Sequence, residues 1–201
     1  MLMSEDREIV ERVRAGDSAS FERLVSKYAR LGGSIAYGVL GDFELAEDVV
    51  QESLLKAYRS LDRLRNPEFF RSWFAGIVKR QALDVFRKRN TRSQATAALD
   101  EKLAVSDQAL GPEEHFLREE ERQKVLAAME ELGQDDRMVL VLKHMEGLSY
   151  REISDITHSS VSAVESRLFR ARRLLKRKLG SGGESEGRVS EGGTGFSEGR
   201  E

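Results

Sequence analysis

Cysteine is absent from this chain, which excludes disulfide scaffolds, thiolate catalysis and cysteine-ligated zinc. No apolar run reaches the length of a signal peptide or a membrane span, and the first stretch, MLMSEDREIVERV, is charged almost at once. The three histidines, His115, His144 and His158, are scattered without metal-ligand spacing. No glycine-rich loop stands between a strand and a helix to cradle a phosphate. Strand-like alternation of polar and apolar residues is missing too. With 39% hydrophobic and 34% charged residues the chain offers little interior, which favours short amphipathic helices over a broad buried sheet. The expectation is a soluble, cytoplasmic, all-α protein with no metal, no cofactor and no catalytic residue.

What is present is segregated charge. The net charge is only −2. Yet Gly41 to Glu52 holds five acids and no base, and Arg71 to Arg92 holds seven bases and one acid. Asp100 to Glu121 carries eight acids and two bases, and Glu165 to Lys178 carries seven bases and one acid. Two basic patches separated by acid point to two places that meet phosphate, with repulsive surface between them. Either patch alone reads better as a solvated helix face.

Apolar residues recur at helical spacing in three N-terminal stretches: Ile9, Val13, Phe21, Leu24 and Tyr28; Leu45, Val49, Leu54, Tyr58 and Leu61; Phe70, Trp73, Phe74, Ile77 and Val85. Asp17 fits an N-cap, Gly41-Asp42 punctuates before the acidic helix, and Asn66-Pro67 breaks the chain before the aromatic one. For Trp73, core packing is favoured over base stacking. Periodicity weakens after residue 90 and resumes at Glu113. The last 22 residues contain eight glycines and almost nothing apolar. The expected organisation is two small helical domains, 1–90 and 113–179, a flexible linker over 91–112 and a disordered tail over 180–201.

In the second domain, Ser149 and Glu152 make an S-x-x-E capping box, placing a helix start at Tyr150. Thr157, His158 and Ser159 interrupt that helix, and Ser160 offers a new N-cap. Val161, Val164, Leu168, Ala171 and Leu175 then follow at steps of 3 and 4, opposite a face of small and basic residues. Two short helices joined by a tight turn form a helix-turn-helix pattern. Small residues at the front of a recognition helix let it sit deep in the major groove, and arginines further along reach bases or phosphates. A basic amphipathic helix could instead lie on a membrane or in a partner's groove, but serines stand where a membrane helix would carry bulky apolar residues.

The stretch Glu146-Gly147-Leu148-Ser149-Tyr150, with Val161, Val164, Ser166-Arg167-Leu168 and Arg170-Ala171-Arg172, closely resembles the C-terminal domain of bacterial sigma factors. These are the sigma-70 family, here its small extracytoplasmic-function (ECF) group. The resemblance implies that Ser160, Ser162, Ala163, Glu165, Ser166, Arg167, Arg170 and Arg173 face the upstream (−35) promoter element. The chain departs from the family pattern at three positions. His158 replaces the turn glycine, although histidine tolerates positive φ better than most residues. Ser159 replaces an apolar residue, and Glu165 stands where a base is common. Glu165 either tempers the charge of the helix or accepts a hydrogen bond from a cytosine amino group.

The resemblance extends to the first half. GDFELAEDVVQESLLKAYRSLDRL looks like the family's polymerase-binding helix, with its D-x-x-Q-E core at Asp48, Gln51 and Glu52 and with Leu55 and Arg59 on the same face. Unaided, that face reads as an ordinary acidic, soluble surface. The resemblance implies docking on the clamp coiled coil of the polymerase's largest subunit, with contact to the flap as well. RNPEFFRSWFAGIVKRQALDVFRKR resembles the segment that opens DNA and captures the −10 element. It implies contacts from Asn66, Phe69, Phe70, Arg71, Lys79, Arg80, Asp84, Arg87 and Lys88, with Asn66 to Phe70 shaping a base pocket. Cations and a platform for an unstacked base are what a melted strand requires. Arg80 and Val85 replace residues that are often asparagine and histidine in the family.

The implied partners are core RNA polymerase, promoter DNA in double-stranded and melted form, and an anti-sigma factor, in a bacterial cytoplasm and with no membrane insertion. The competing reading, a stand-alone helix-turn-helix regulator, accounts for residues 132–179 and leaves the first domain without a role.

Overall fold

The computed structural model describes residues 2–95 and 122–180. Eight α-helices and three short 3-10 turns account for most of them, and no strand occurs among the described residues. The N-terminal half comprises α1 (Leu2–Arg14), α2 (Phe21–Leu40), α3 (Phe43–Arg59) and α4 (Phe70–Ala95). The C-terminal half comprises residues 122–130 (α5), then α6 (Gln134–His144), α7 (Tyr150–Thr157) and α8 (Val161–Gly180). Most of the expected linker and tail lies outside the described residues. Residues 91–95 are described, and they prolong α4 rather than leaving it.

Local chemistry sets the helix ends. The Asp17 carboxylate accepts from the Ser20 amide at 3.2 Å and from its hydroxyl at 2.6 Å, starting the turn that runs into α2. Gly41 ends α2 at φ 70°, a left-handed conformation that favours glycine. Asp42 then caps α3 by accepting from the Leu45 amide at 3.1 Å. Asn66 accepts from the Glu68 amide at 3.0 Å and starts the single turn ahead of α4.

Helix α2 is the shared wall of the molecule. Leu24, Tyr28, Leu31 and Ile35 bury themselves among α1, α3 and α4, where Val10, Val49, Phe74 and Val78 are fully or nearly fully enclosed. Each such side chain is worth about 1.5–3 kcal/mol of burial. Tyr28 also donates its hydroxyl to the buried Asp6 carboxylate, which accepts from Lys27 Nζ at 2.5 Å. This ties α1 to α2. Burial and the neighbouring Asp6 charge push the Tyr28 hydroxyl well above its ordinary pKa.

The other side of α2 meets the C-terminal half, so the two halves share one continuous apolar core. Helix α6 carries five consecutive apolar residues, Met138 to Leu142, and all are buried. A helix that is apolar all round needs neighbours all round. α7 and α8 cover part of it, and α2 covers the rest. The contact is close because Gly38 has no side chain: a Cβ there would stand 2.7 Å from the Met138 Cα. Arg137, only 5% exposed, donates from Nε to the Gly38 carbonyl at 3.0 Å and from Nη2 to the Val39 carbonyl at 2.9 Å. A cation thereby satisfies carbonyls in the last turn of α2 that no helical amide reaches.

Candidate nucleic-acid interface

The helix-turn-helix is built by local polar bonds. The Ser149 hydroxyl accepts from the Glu152 amide at 3.3 Å, and Glu152 Oε2 accepts from the Ser149 amide at 2.8 Å, completing the capping box. α7 ends at His158, which is left-handed at φ 54° and ψ 43° in the place of a turn glycine. Side chains fix the turn behind it: Thr157 Oγ1 donates to the Ile153 carbonyl at 2.7 Å, and Ser154 Oγ donates to the Ser159 carbonyl at 2.5 Å. Ser160 caps α8 by accepting from the Ala163 amide at 3.2 Å.

Along α8, Val164, Leu168 and Ala171 are buried, whereas Val161 is 41% exposed, so the buried stripe starts one turn later than its spacing predicts. The opposite face exposes Ser162, Glu165, Ser166, Arg170 and Arg173, with Ser160 at its start and Ala163 and Arg167 half-buried along its edge. Phe169, two-thirds exposed, belongs to that face and is missing from the expected contact set, although the helical wheel already places it there. Two of the arginines are engaged. Arg167 Nη2 binds Asp135 Oδ2 at 2.7 Å, and Arg170 makes a two-pronged contact with Asp136, at 3.1 Å from Nε and 2.8 Å from Nη2. Both acids lie in the first turn of α6, where the helix dipole favours negative charge. The sequence gives no sign of this pairing across more than thirty residues. Arg172 points its guanidinium at His144 Nε2, 3.3 Å from Nη2.

The second basic surface runs along α4. An open cavity of about 460 Å³ lies between the Leu64–Phe69 loop and the first turns of α4, lined among others by Asn66, Phe69, Trp73, Ile77 and Arg80. Phe69 is 56% exposed at its edge. Trp73 is half-buried, packed on the core with part of its ring left to the cavity. Phe70 stands apart from the other residues expected to meet DNA. It is fully buried, stacked on Phe74 at 6.0 Å between ring centres and tilted on Tyr28 at 5.4 Å. It shapes the loop from beneath and has no surface to offer a base. Arg80, Asp84, Arg87 and Lys88 are exposed, with Arg87 3.4 Å from Asp84. Arg71 and Lys79 are turned to the C-terminal half: Arg71 Nη1 lies 2.7 Å from Glu152 Oε1, and Lys79 Nζ donates to the Thr157 carbonyl at 3.0 Å. His158 completes the wall of the cavity. The contact between the cavity and the turn is another feature that sequence spacing does not reach.

On α3, Asp48, Gln51, Glu52, Leu55 and Arg59 are all exposed and follow one another at helical spacing, while Ala46, Val49, Val50, Ser53 and Ala57 are buried behind them. Leu55, 55% exposed, is an apolar residue set among charges.

A helix-turn-helix with an arginine-lined outer face, joined to a helical half with its own basic surface, defines a two-module DNA-binding protein. Residues 24–92 match the model of sigma-70 region 2, and residues 122–175 match that of sigma-70 region 4. The RNA polymerase sigma-H factor of Pseudomonas aeruginosa is 34% identical over 185 residues, which is 89% of this chain and 96% of the relative. The ECF RNA polymerase sigma-E factors of Salmonella typhimurium and Escherichia coli K12 are 38% and 37% identical over 182 residues, 87% of this chain and 94% of each relative. Among solved structures, the sigma factor RpoE of Bartonella quintana, in complex with the anti-sigma factor NepR, aligns with a TM-score of 0.64 at 23% identity, over 80% of this chain and 96% of that one. CnrH, in complex with the cytosolic domain of CnrY, aligns with a TM-score of 0.62 at 24% identity, over 88% and 97%. The chain belongs to the sigma-70 family of RNA polymerase sigma factors, in its ECF group. It is a sigma factor directing promoter-specific transcription, and the stand-alone regulator is not favoured, since region 2 lies outside it.

Proposed function

We propose that the three exposed faces divide the work of a sigma factor among them. The α3 face of Asp48, Gln51, Glu52, Leu55 and Arg59 docks on core RNA polymerase. The α4 surface and its cavity hold the melted −10 strand, with Arg71, Lys79, Arg80, Arg87 and Lys88 meeting phosphate and Phe69 available to an unstacked base. The α8 face reads the −35 element in the major groove. Residues 1–90 and 113–179 are the two working domains, and 91–112 joins them.

The observation that carries this reading is the division of α8, whose buried stripe fixes its orientation and leaves Ser162, Ser166, Arg170 and Arg173 pointing outward together. Small residues at the front and cations behind are what a groove-entering helix needs. Bond-making chemistry would belong to the polymerase, and this chain would supply specificity in the bacterial cytoplasm. An anti-sigma partner is part of the proposal, supported by the NepR and CnrY complexes of the structural relatives.

Run-off transcription with core polymerase on genomic fragments, followed by mapping of start sites, tests the whole reading. Discrete starts sharing two spaced elements are expected. Failure to bind core polymerase in a pull-down would remove it.

A further inference from the structure

Helix α1 lies ahead of the residues that match sigma-70 region 2, and none of the three faces described above uses it. Its last residue nevertheless reaches the loop that walls the α4 cavity. Arg14 Nη2 donates to the Leu61 carbonyl at 2.7 Å and also to the Leu64 carbonyl, across 47 and 50 positions of chain. The Arg14 side chain is 26% exposed, and the nearby Asp62 carboxylate, 4.0 Å from Nε, is 92% exposed. An ion pair so open to water adds little, so the two carbonyls are what hold the guanidinium.

Those carbonyls stand where the loop leaves the core. The Leu61 and Leu64 side chains are buried. From Leu64 the chain runs extended to Asn66, then turns once at Pro67–Phe69 to enter α4 at the buried Phe70. Between these two posts, Asn66 and Phe69 line the cavity, and Arg14 does not. The Leu61 carbonyl also accepts from the Leu64 amide at 3.1 Å, whereas the Leu64 carbonyl has Arg14 as its donor. A base taken out of its stack is held best by a platform already in place, because every group ordered on binding subtracts from affinity. Loops are less precise mounts than helices. Here a helix fastened by Ile9 and Val10, both enclosed, lends the loop its own rigidity through one side chain.

We propose that Arg14 is a positioning residue for the base pocket. It fixes the Leu64–Phe69 loop so that Phe69 meets an unstacked base of the −10 strand, and it does so without touching DNA. This rests on the reading of the α4 cavity as the −10 site.

The test uses holoenzyme formed from core polymerase and the full chain. The probes are fluorescein-labelled single strands carrying the −10 element of a promoter from the mapped starts, with an abasic site at each position in turn. In the wild type one position should cost about fivefold or more in affinity, as for a base stacked on an aromatic side chain, and Phe69→Ala should flatten that step. Arg14→Met keeps the length of the side chain and removes both donors. It should reduce the step at the same position to about twofold or less, while affinity for the strand abasic there stays unchanged, since the α4 cations still meet phosphate. Because one nitrogen makes both bonds, an ammonium with three donors can replace it, and Arg14→Lys should recover most of the step. Combining Arg14→Met with Phe69→Ala should cost no more than Phe69→Ala alone.

A wild-type step in Arg14→Met overturns the proposal, and its loss in Phe69→Ala then leaves the pocket standing. Equal weakening on every strand, loss of helicity by circular dichroism, or no recovery in Arg14→Lys makes Arg14 a packing residue only and overturns it too. If neither the abasic sites nor Phe69→Ala change affinity in the wild type, the pocket reading fails and takes the proposal with it.

Discussion

Arg170 grips Asp136 with two nitrogens, at 2.8 and 3.1 Å, on the outer face of the helix-turn-helix. A guanidinium held this way is planar and pre-oriented, so it reaches DNA from a defined direction. Arg170→Ala should weaken −35 binding by about 1–3 kcal/mol if it meets a base. Asp136→Asn should act differently. Removing an acid from the DNA-facing side should strengthen non-specific binding and steepen its salt slope by about one. Fluorescence anisotropy across a salt series separates the two effects.

The exposed face of α3 makes a prediction about binding without folding. Asp48→Ala with Gln51→Ala should impair capture of core polymerase, while circular dichroism and thermal unfolding stay unchanged, because neither side chain is enclosed. Loss of helicity would mean the face is structural.

His158 makes a prediction about folding without binding. Its left-handed φ of 54° suits glycine, is tolerated by histidine, and is strained for a β-branched residue. His158→Gly should leave thermal stability level or higher. His158→Val should cost about 1–2 kcal/mol, read as a lower Tm.

Acid should loosen the contact between modules. Arg71, followed by the Ser149 amide and hydroxyl, holds the Glu152 carboxyl down at about 2. Only the share of that lowering owed to Arg71 depends on docking, because the Ser149 bonds are local to α7 and remain when the modules part, so docking is favoured where Glu152 is ionised. That contribution is lost as pH falls through about 2. A dye pair spanning the modules should report separation across this window. Glu146, the other carboxylate at the contact, is present in both wild type and Glu152→Gln, so a step missing in Glu152→Gln belongs to Glu152.

Much of the fold is legible in the sequence because the signals are local. The capping box of Ser149 and Glu152, the Asp42 cap and the positive φ at His158 each involve residues within a few positions of one another. The α8 face follows from periodicity alone, apart from the displaced Val161. What escaped is long-range. Helical spacing already sets Phe70 on the apolar face, against the DNA contact that the resemblance implies, but it does not name Tyr28 and Phe74 as the rings that enclose it. Arg137 reads as one more surface cation until α2 is folded against it. The five consecutive apolar residues of α6 and a glycine near the end of α2 were signals of a second contact, but neither names its partner. The exposure of the α3 face agrees with its spacing, and its occupant lies beyond anything the spacing encodes.

Because α2 walls both halves, this protein is not a pair of freely exchangeable parts. A chimera that takes its C-terminal module from another sigma factor inherits an α6 shaped for a different α2. Where that donor's partner helix lacks a glycine at the position of Gly38, or where the graft brings no arginine at the position of Arg137, the hybrid loses the fit between its halves. Exchanging the C-terminal module while keeping the two halves packed therefore means moving α6 and the end of α2 together, a unit that the linear order of the chain does not reveal.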